Sequence, residues 1–219
     1  MRPSATTLAS EMSDAELALL TELIATEQFE GAHLEVGTAA GGTLKEMIAA
    51  CRPPRPRFVV VDSFRYFPDQ RAIVERNLRS HGIDPATVDF REAYSAAALA
   101  GATAAGESFD FILIDAHHDA RHVIRDLRWA ALLRSGGLIC LHDYASGYPG
   151  VRWAVDRFMR ANANYRHHAS EESLIALRKT GDTVRAEVGA IDVTIGEIVT
   201  QVHRLGRSLR MRWRRWRGA

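Results

Sequence analysis

A series of short apolar runs, most of them followed by a glycine or an acidic residue, constrains the fold of this chain more than any other feature. The strongest runs cover residues 58–61, 109–114 and 138–141, and a short strand over 33–36 and a weaker one over 88–91 complete the series. Successive runs end roughly 23–30 residues apart, which is close to the length of one strand-helix unit. Runs that are apolar on both faces and alternate with helices predict a parallel β-sheet with helices on both faces.

Helical periodicity fills the intervals between these runs. Helices are predicted over residues 13–28, 44–50, 70–80, 95–100, 119–133 and 151–160. The first of them begins with a capping box formed by Ser13 and Glu16. Segments 165–170 and 174–179 are so close in the chain that only an antiparallel hairpin can join them. We therefore predict an α/β fold whose seven-stranded sheet is mostly parallel and ends in an antiparallel strand.

The chain has 219 residues, of which 47% are hydrophobic and 25% charged, as in one globular domain with an appendage. No stretch has the roughly 18 uncharged apolar residues of a membrane span, and the N-terminal residues lack the apolar core of a secretory signal. Cys51 and Cys140 are too few for a disulfide scaffold or a cysteine-based zinc site. We therefore expect a reduced, cytoplasmic setting.

Positive charge is concentrated at the C-terminus. Residues 201–219 contain seven arginines and no acidic residue, whereas residues 1–200 carry 21 basic and 27 acidic residues. A charge block of this kind is typical of an interaction tail. The sequence therefore predicts a folded domain over residues 1–180 and a basic amphipathic helical tail over residues 181–219.

The tail also carries an apolar seam with steps of four and three residues. Its members are Val184, Val188, Ile191, Ile195, Ile198, Val202, Leu205 and Leu209. This spacing predicts a helix over residues 183–210 that makes a homo-oligomer or docks on a partner, although the seam could instead cover the folded domain. Tryptophans among the arginines of residues 210–217 suit peripheral contact with an anionic membrane. No motif in the tail supports sequence-specific recognition of nucleic acid.

Ligands bind at the carboxyl ends of the strands in open parallel sheets, so the residues after each run are the candidate site. The first segment is the turn from Glu35 to Thr43, where glycine lets a ligand approach the backbone closely. Its glycines at 37, 41 and 42 do not make the GxGxxG pattern of dinucleotide-binding folds. A plain tight turn is the alternative interpretation.

The second segment is Asp62, which lies 25 residues after Gly37, near the spacing of a ribose-binding acid. A loop carboxylate or a helix cap is the alternative. The other two segments are 115–119, with the sequence DAHHD, and 142–144, with the sequence HDY. Aspartate and histidine at the ends of two buried strands suit Mg²⁺, Mn²⁺ or a similar ion. Asp119 is expected to cap the helix that follows it.

Together, the segments LEVGTAAGGTL, VVVDSF and FDFILIDAHHDARHVIRDLRWAALLRSGGLICLHDY resemble a class I S-adenosylmethionine-dependent methyltransferase over about residues 30–180. They are most similar to the subgroup of macrocin O-methyltransferase and cephalosporin-hydroxylase-like proteins. The resemblance implies a Rossmann-like fold. It also implies methyl transfer from S-adenosylmethionine to a hydroxyl of a small molecule, such as a sugar or another natural product.

The resemblance also implies a role for each matched residue. The cofactor-binding residues are Glu35, Gly37, Thr38, Gly41, Asp62, Ser63, Tyr94 and Asp115. Asp115, His142 and Asp143 would hold a divalent cation such as Mg²⁺. His118 is the implied general base, and His142 is the second catalytic candidate.

The chain departs from the subgroup at two places. His117 stands where the signature has a second aspartate, and Tyr94 stands where the subgroup has an aspartate near the adenine. Two other functions are therefore considered. One is a non-catalytic cofactor-binding module that acts through its tail. The other is an NAD-type oxidoreductase, which the glycine spacing and the C-terminal hairpin disfavour.

Overall fold

A single mixed sheet forms the centre of the computed structural model, which describes residues 10–27, 29–181 and 188–217, without the side chains of Arg204 and residues 206–217. Its strands are β1 (His33–Val36), β2 (Phe58–Asp62), β3 (Val88–Glu92), β4 (Phe109–Ile114), β5 (Leu133–Leu141), β6 (Tyr165–Glu171) and β7 (Leu174–Lys179). Their order across the sheet is β3-β2-β1-β4-β5-β7-β6. Strands β1 to β5 pair in parallel, and β7 is antiparallel to both of its neighbours. The predicted seven-stranded Rossmann-like sheet is confirmed.

Helices cover both faces of the sheet. They are α1 (Asp14–Glu27), α2 (Gly42–Ala50), α3 (Gln70–Ser80), α4 (Ser95–Ala104), α5 (Ala120–Asp126), α6 (Pro149–Ala161) and α7 (Ala190–Arg217). One apolar cluster joins the sheet to α1, α2 and α3, and a second joins its other face to α4, α5 and α6. Alternate side chains of β2 divide between them, since Val59 lies in one cluster and Val60 in the other. This two-faced burial explains why residues 58–61 of β2 and 138–141 of β5 are apolar throughout.

The predicted helix over residues 119–133 is wrong in its second half. Helix α5 ends at Asp126, and a 3₁₀ segment, Leu127–Leu132, follows it. The tighter winding lets the fully buried Trp129 donate its indole N–H to Ser95 Oγ at 3.0 Å. The next strand also starts earlier than predicted, because Leu133 already pairs with Phe109.

Helix α7 packs on the domain through small and polar residues. A Cβ on Gly196 would lie 2.8 Å from Ile124 Cγ2, so the two helices are in close contact. The Thr200 hydroxyl accepts a hydrogen bond from the backbone N–H of Arg121 at 2.9 Å. Of the helix predicted over residues 183–210, the part over 183–187 lies outside the described residues, and the observed helix runs from Ala190 to Arg217. Within the described part of the chain, no helix is long and apolar enough to cross a membrane.

Candidate functional site

The glycine turn after β1 crosses directly over the end of β4. Gly37 has a φ of 86°, and a Cβ placed on it would lie 2.3 Å from the carbonyl oxygen of Asp115. Only glycine satisfies both the positive φ and this close approach. The structure thereby brings the first and third predicted segments together at the point where the strand order reverses, which is where open α/β sheets bind ligands.

An open cleft lies beside this turn. It is lined by Ser10, Glu11, Glu35, Gly37, Thr38, Ala39, Gly42, Thr43 and Asp115. Glu35 Oε2 and Thr38 Oγ1 are buried and have no hydrogen-bond partner among the described residues. Burial raises the pKa of Glu35 well above its usual range; the Thr38 side chain acts to lower it, and the charge of Asp115 adds to the rise. The cleft therefore offers a buried carboxyl group to a ligand that brings a hydrogen-bond donor or a positive charge.

Asp62 ties the end of β2 to the glycine turn. Its carboxylate accepts hydrogen bonds from the backbone N–H of Thr38 at 2.9 Å and of Phe64 at 2.6 Å. The Gln70 amide also donates to it at 3.3 Å. Asp62, the last residue of β2, thus holds the glycine turn and the loop after β2 in place. A carboxylate has about four acceptor positions and three are used here, so Asp62 can still accept one hydrogen bond from a ligand's hydroxyl.

The remaining predicted cofactor residues lie around this edge of the sheet. Ser63 directly follows Asp62 and is half-buried, while Gly41, with a φ of 85°, precedes the first residue of α2. Tyr94 follows β3 and is 65% exposed. The guanidinium of Arg65 lies 5.9 Å from its ring centroid, so Tyr94 borders the loop that follows β2.

The ends of β4 and β5 bring the three predicted metal ligands together. Asp115, His142 and Asp143 each offer one donor atom, and these atoms lie within 4.8 Å of one another. Asp143 is 8% exposed and has a φ of 65°, which is unusual for a residue with a side chain. The chemistry of this donor set fits a divalent cation.

His142 is held between carboxylates on both sides of its ring. Nδ1 lies 3.1 Å from Asp115 Oδ1, and Nε2 lies 3.3 Å from Glu16 Oε2. Burial acts to lower the pKa of His142, but the Asp115 hydrogen bond and the surrounding negative charges outweigh it and raise the pKa to about 9. The ring is therefore protonated at neutral pH, with one N–H directed at each carboxylate.

His118 joins this cluster, whereas His117 does not. His118 Nε2 lies 2.7 Å from Asp143 Oδ2, and its ring stacks on Tyr148 with centroids 4.3 Å apart. The Asp143 hydrogen bond raises the pKa of His118. The ring of His117 instead lies 4.3 Å from that of His122, and burial lowers its pKa.

The charge on His142 makes the stability of the protein depend on pH. Its pKa is about 9 in the folded chain and about 6.5 in an unfolded one, so its contribution is complete below the lower value and is lost as pH rises through the upper one. With EDTA present, the free energy of unfolding measured by urea titration should fall by roughly 3 kcal/mol over this interval. A His142→Gln variant should lose most of that pH dependence, and an equal slope in both proteins would contradict the assignment.

Three residues of the site were missed by the sequence reasoning. Glu16 was recognised only as part of the capping box, which is present: Ser13 N donates to Glu16 Oε2 at 2.9 Å. The same carboxylate also accepts from the backbone N–H of Ser173 at 2.9 Å, so α1 is joined to the β6–β7 turn and to His142. Ser10 and Glu11 belong to no motif, yet both line the cleft, and the hydroxyls of Ser10 and Thr43 are 2.7 Å apart.

Comparison with known protein families matches residues 34–144 to the family described as "Methyltransferase domain". No curated protein matches the chain. The match begins in β1 and ends just after the His142-Asp143 pair. It therefore includes the glycine turn and the acidic cluster, which consists of Asp115, His142 and Asp143.

Several solved structures share the fold. An O-methyltransferase from Bacillus cereus in complex with SAH is 19% identical, with 77% of this chain and 83% of that chain covered and a TM-score of 0.62. The O-methyltransferase TomG from Streptomyces achromogenes, in complex with SAM, is 17% identical, with 78% and 82% covered and a TM-score of 0.57. The O-methyltransferase NovP is 17% identical, with 78% and 82% covered and a TM-score of 0.64. At these identities the likeness establishes the architecture.

Proposed function

Since the chain belongs to the methyltransferase-domain family, whose match spans residues 34–144, we propose that it transfers a methyl group from S-adenosylmethionine to a hydroxyl of a small molecule. Within that family we place it in the subgroup of macrocin O-methyltransferase and cephalosporin-hydroxylase-like proteins. The structural neighbours named above, two of them bound to SAM or SAH, support the choice of cofactor and of oxygen as the acceptor atom.

The observation that carries the proposal is the pair of unpartnered polar atoms in the cleft. Glu35 is 1% exposed, and its Oε2, like Thr38 Oγ1, has no hydrogen-bond partner among the residues described. An ammonium group and neighbouring donors, as found in the methionine part of S-adenosylmethionine, would satisfy both. We assign the ribose hydroxyls to Asp62 and Ser63 and the border of the adenine to Tyr94. Gly37, Gly41 and Asp115 would line the remainder of the cofactor site.

When bound, the cofactor supplies a methyl group made electrophilic by the sulfonium. The chain's own residues must then align the acceptor and remove its proton. Asp143 fixes the ring of His118 by accepting from Nε2–H, which leaves Nδ1 to take the proton of an acceptor hydroxyl. Alignment of two bound reactants is the larger contribution and can supply several kcal/mol.

We propose further that Asp115, His142 and Asp143 can hold a divalent cation, which would lower the pKa of the acceptor hydroxyl. The proton on His142 Nδ1 must be lost before this residue can coordinate a cation. Its Nδ1–H is directed at Asp115, so coordination through that nitrogen requires loss of the proton. The cation and the proton therefore compete for His142 Nδ1.

The acceptor that we propose is a sugar or another hydroxylated natural product. Tyr148 is 42% exposed and stacks on His118, so it supplies an aromatic face next to the proposed base. Tyr144, which donates to Asp156 Oδ1 at 2.8 Å, lies immediately after Asp143. Aromatic faces beside carboxylates suit a polyhydroxylated ligand, which has both apolar C–H faces and hydroxyl edges.

Two measurements test the proposal. S-adenosylmethionine and S-adenosylhomocysteine should raise the melting temperature of the full-length protein, while NAD should not, because the glycine turn lacks the dinucleotide spacing. Methyl transfer from tritium-labelled cofactor to glycosides should then distinguish an enzyme from a non-catalytic cofactor-binding module. Stabilisation by NAD alone would refute the methyltransferase assignment.

Cofactor binding should release a proton from Glu35. Because its pKa is raised in the free protein, a nearby ammonium that stabilises the carboxylate will displace the proton. The binding enthalpy of S-adenosylhomocysteine, measured by calorimetry over a series of pH values, should therefore differ between buffers of low and high ionisation enthalpy. A Glu35→Gln variant should lose the difference and bind roughly tenfold or more weakly. The control Glu46→Gln, on the outside of α2, should behave like wild type. A buffer-independent enthalpy in wild type would contradict this role.

Metal affinity should rise with pH. Because His142 must lose its proton to coordinate, the apparent Kd for Mg²⁺ should fall about tenfold per pH unit below the His142 pKa of about 9. Calorimetric titrations at several pH values up to that pKa provide the measurement. Asp115→Ala and Asp143→Ala should abolish metal binding, and full activity of both variants in the presence of EDTA would show that the reaction needs no metal.

A further inference from the structure

Helix α7 has an apolar stripe on the side turned away from the domain. Ile191, Ile198, Val202 and Leu205 are 72%, 58%, 60% and 64% exposed. Of the α7 residues that touch the domain, Gly196 and Thr200 are buried and Val193 packs against the apolar core. These three residues lie on the opposite side of the helix, given 3.6 residues per turn. The prediction that the apolar seam might cover the domain is therefore wrong for these four residues. The helix is already docked by its other face, and no described part of the chain buries these four side chains.

The direction of α7 relative to the site follows from its polar contacts. Arg157, in the third turn of α6, donates to Asp192 at 2.8 Å, and Arg125, near the end of α5, pairs with Glu197. Thr200 then meets Arg121 at the start of α5, two residues after Asp119. The helix thus advances toward the carboxyl edge of the sheet, where the candidate site lies, and continues for about 25 Å past Thr200.

The sequence of this projecting part is strongly basic. Seven arginines and no acidic residue lie in residues 201–219, whereas residues 1–200 have a net charge of −6. In the sequence, Leu209, Trp213 and Trp216 continue the stripe by further steps of four, four and three residues. The heptad spacing of the seam is broken after Leu209, where a second four-residue step leads to Trp213. An apolar stripe flanked by arginine and tryptophan matches an anionic lipid surface.

We propose that α7 is a peripheral lipid-binding element that places its apolar stripe and arginines on an anionic membrane surface. Residues 190–203 attach the helix to the domain, and the stripe from Ile191 to Leu205 enters the interface. The arginine-rich end supplies the attraction to lipid phosphates. The proposal does not depend on methyl transfer, because it rests on the exposed stripe and on charge alone.

Vesicle sedimentation of the full-length protein tests this directly. The protein should sediment with vesicles in which about one third of the lipid is phosphatidylglycerol, should not sediment with pure phosphatidylcholine, and should be released as salt is raised. The triple variant Ile198→Ser, Val202→Ser, Leu205→Ser should bind at least about tenfold more weakly. The control Gln201→Ser, at an exposed polar position of the same helix, should bind as wild type does.

Two further measurements distinguish a membrane from a second copy of the chain as the partner that covers the stripe. An unchanged melting temperature of the triple variant would show that its fold is intact, since all three side chains are exposed. Light scattering should give the same mass for wild type and variant. The proposal is overturned if the wild-type protein does not bind anionic vesicles, or binds them no better than neutral ones. So does a dimer that the triple variant converts to a monomer without any vesicle binding, because a second copy of the chain would then occupy the stripe.

Discussion

Replacement of His118 by alanine should lower kcat by about 10²–10⁴-fold, which is the usual contribution of a positioned general base. The ring is held by Asp143 at 2.7 Å and by the Tyr148 ring, so its removal takes away a prepositioned proton acceptor. S-adenosylmethionine binding should change little, because His118 does not line the cleft that contains Glu35. Activity with a methyl acceptor and cofactor affinity by calorimetry are the two measurements.

The pH profile separates catalysis from structure in this variant. The Asp143 hydrogen bond raises the pKa of His118 above its usual 6.5, and a base acts only when deprotonated, so the rate should rise with pH through that raised pKa. The acidic limb should disappear in His118→Ala. His117→Ala is the matched control, since His117 packs against His122 outside the acidic cluster. If the His118 variant retains the wild-type profile, the base is His142 or His117 instead.

Replacement of Gly37 by alanine should destabilise the protein by roughly 2–4 kcal/mol, because backbone strain and overpacking add at this position. A Cβ there would lie 2.3 Å from Asp115 O and 2.8 Å from Ala116 Cα, and both are backbone atoms that cannot move alone. Displacement of either strand end would also deform the cleft, so cofactor affinity should fall by about 10²-fold, equivalent to nearly 3 kcal/mol.

Gly106→Ala is the control for this experiment. Gly106 also has a positive φ, 64°, but a Cβ there meets nothing within 4 Å. The Gly106→Ala substitution should therefore lower the free energy of unfolding by about 1 kcal/mol, from backbone strain alone, and leave cofactor binding unchanged. Urea unfolding and calorimetry of both variants separate the two effects. Equal losses of stability would mean that the close approach to Asp115 has no energetic weight.

The sequence predicted the sheet because the signal was local. Apolar runs that alternate with helical periodicity can bury both faces only as parallel strands between helix layers, and the structure has that arrangement. The failure at residues 119–133 has the opposite cause. The winding there follows from the burial of Trp129 and its hydrogen bond to Ser95, 34 residues earlier, and no local pattern records that contact.

The candidate site shows the same division. Topology alone placed Gly37, Asp62, Asp115 and Asp143 at one edge, since the carboxyl ends of parallel strands must meet there. The conformation of the loop after β4 directs the His118 ring to Asp143 and the His117 ring to His122. Glu16 is 126 residues from His142, and its part in the site arises only from the packing of α1 against the sheet.

The C-terminal helix α7 shows most clearly which properties follow from the sequence and which follow only from the tertiary structure. The sequence predicted an amphipathic helix over residues 183–210 within a basic tail over residues 181–219, because helical spacing and charge are properties of the chain itself, and the observed helix runs from Ala190 to Arg217. Only the tertiary structure decided which side of that helix meets the domain. Gly196 and Thr200 allow close contact with α5 and gain a hydrogen bond there, so the small, polar side is buried and the apolar stripe faces outward. A hydrophobic pattern shows that a face can be buried, whereas the surface that covers it is set by shape and by hydrogen-bond partners elsewhere in the chain.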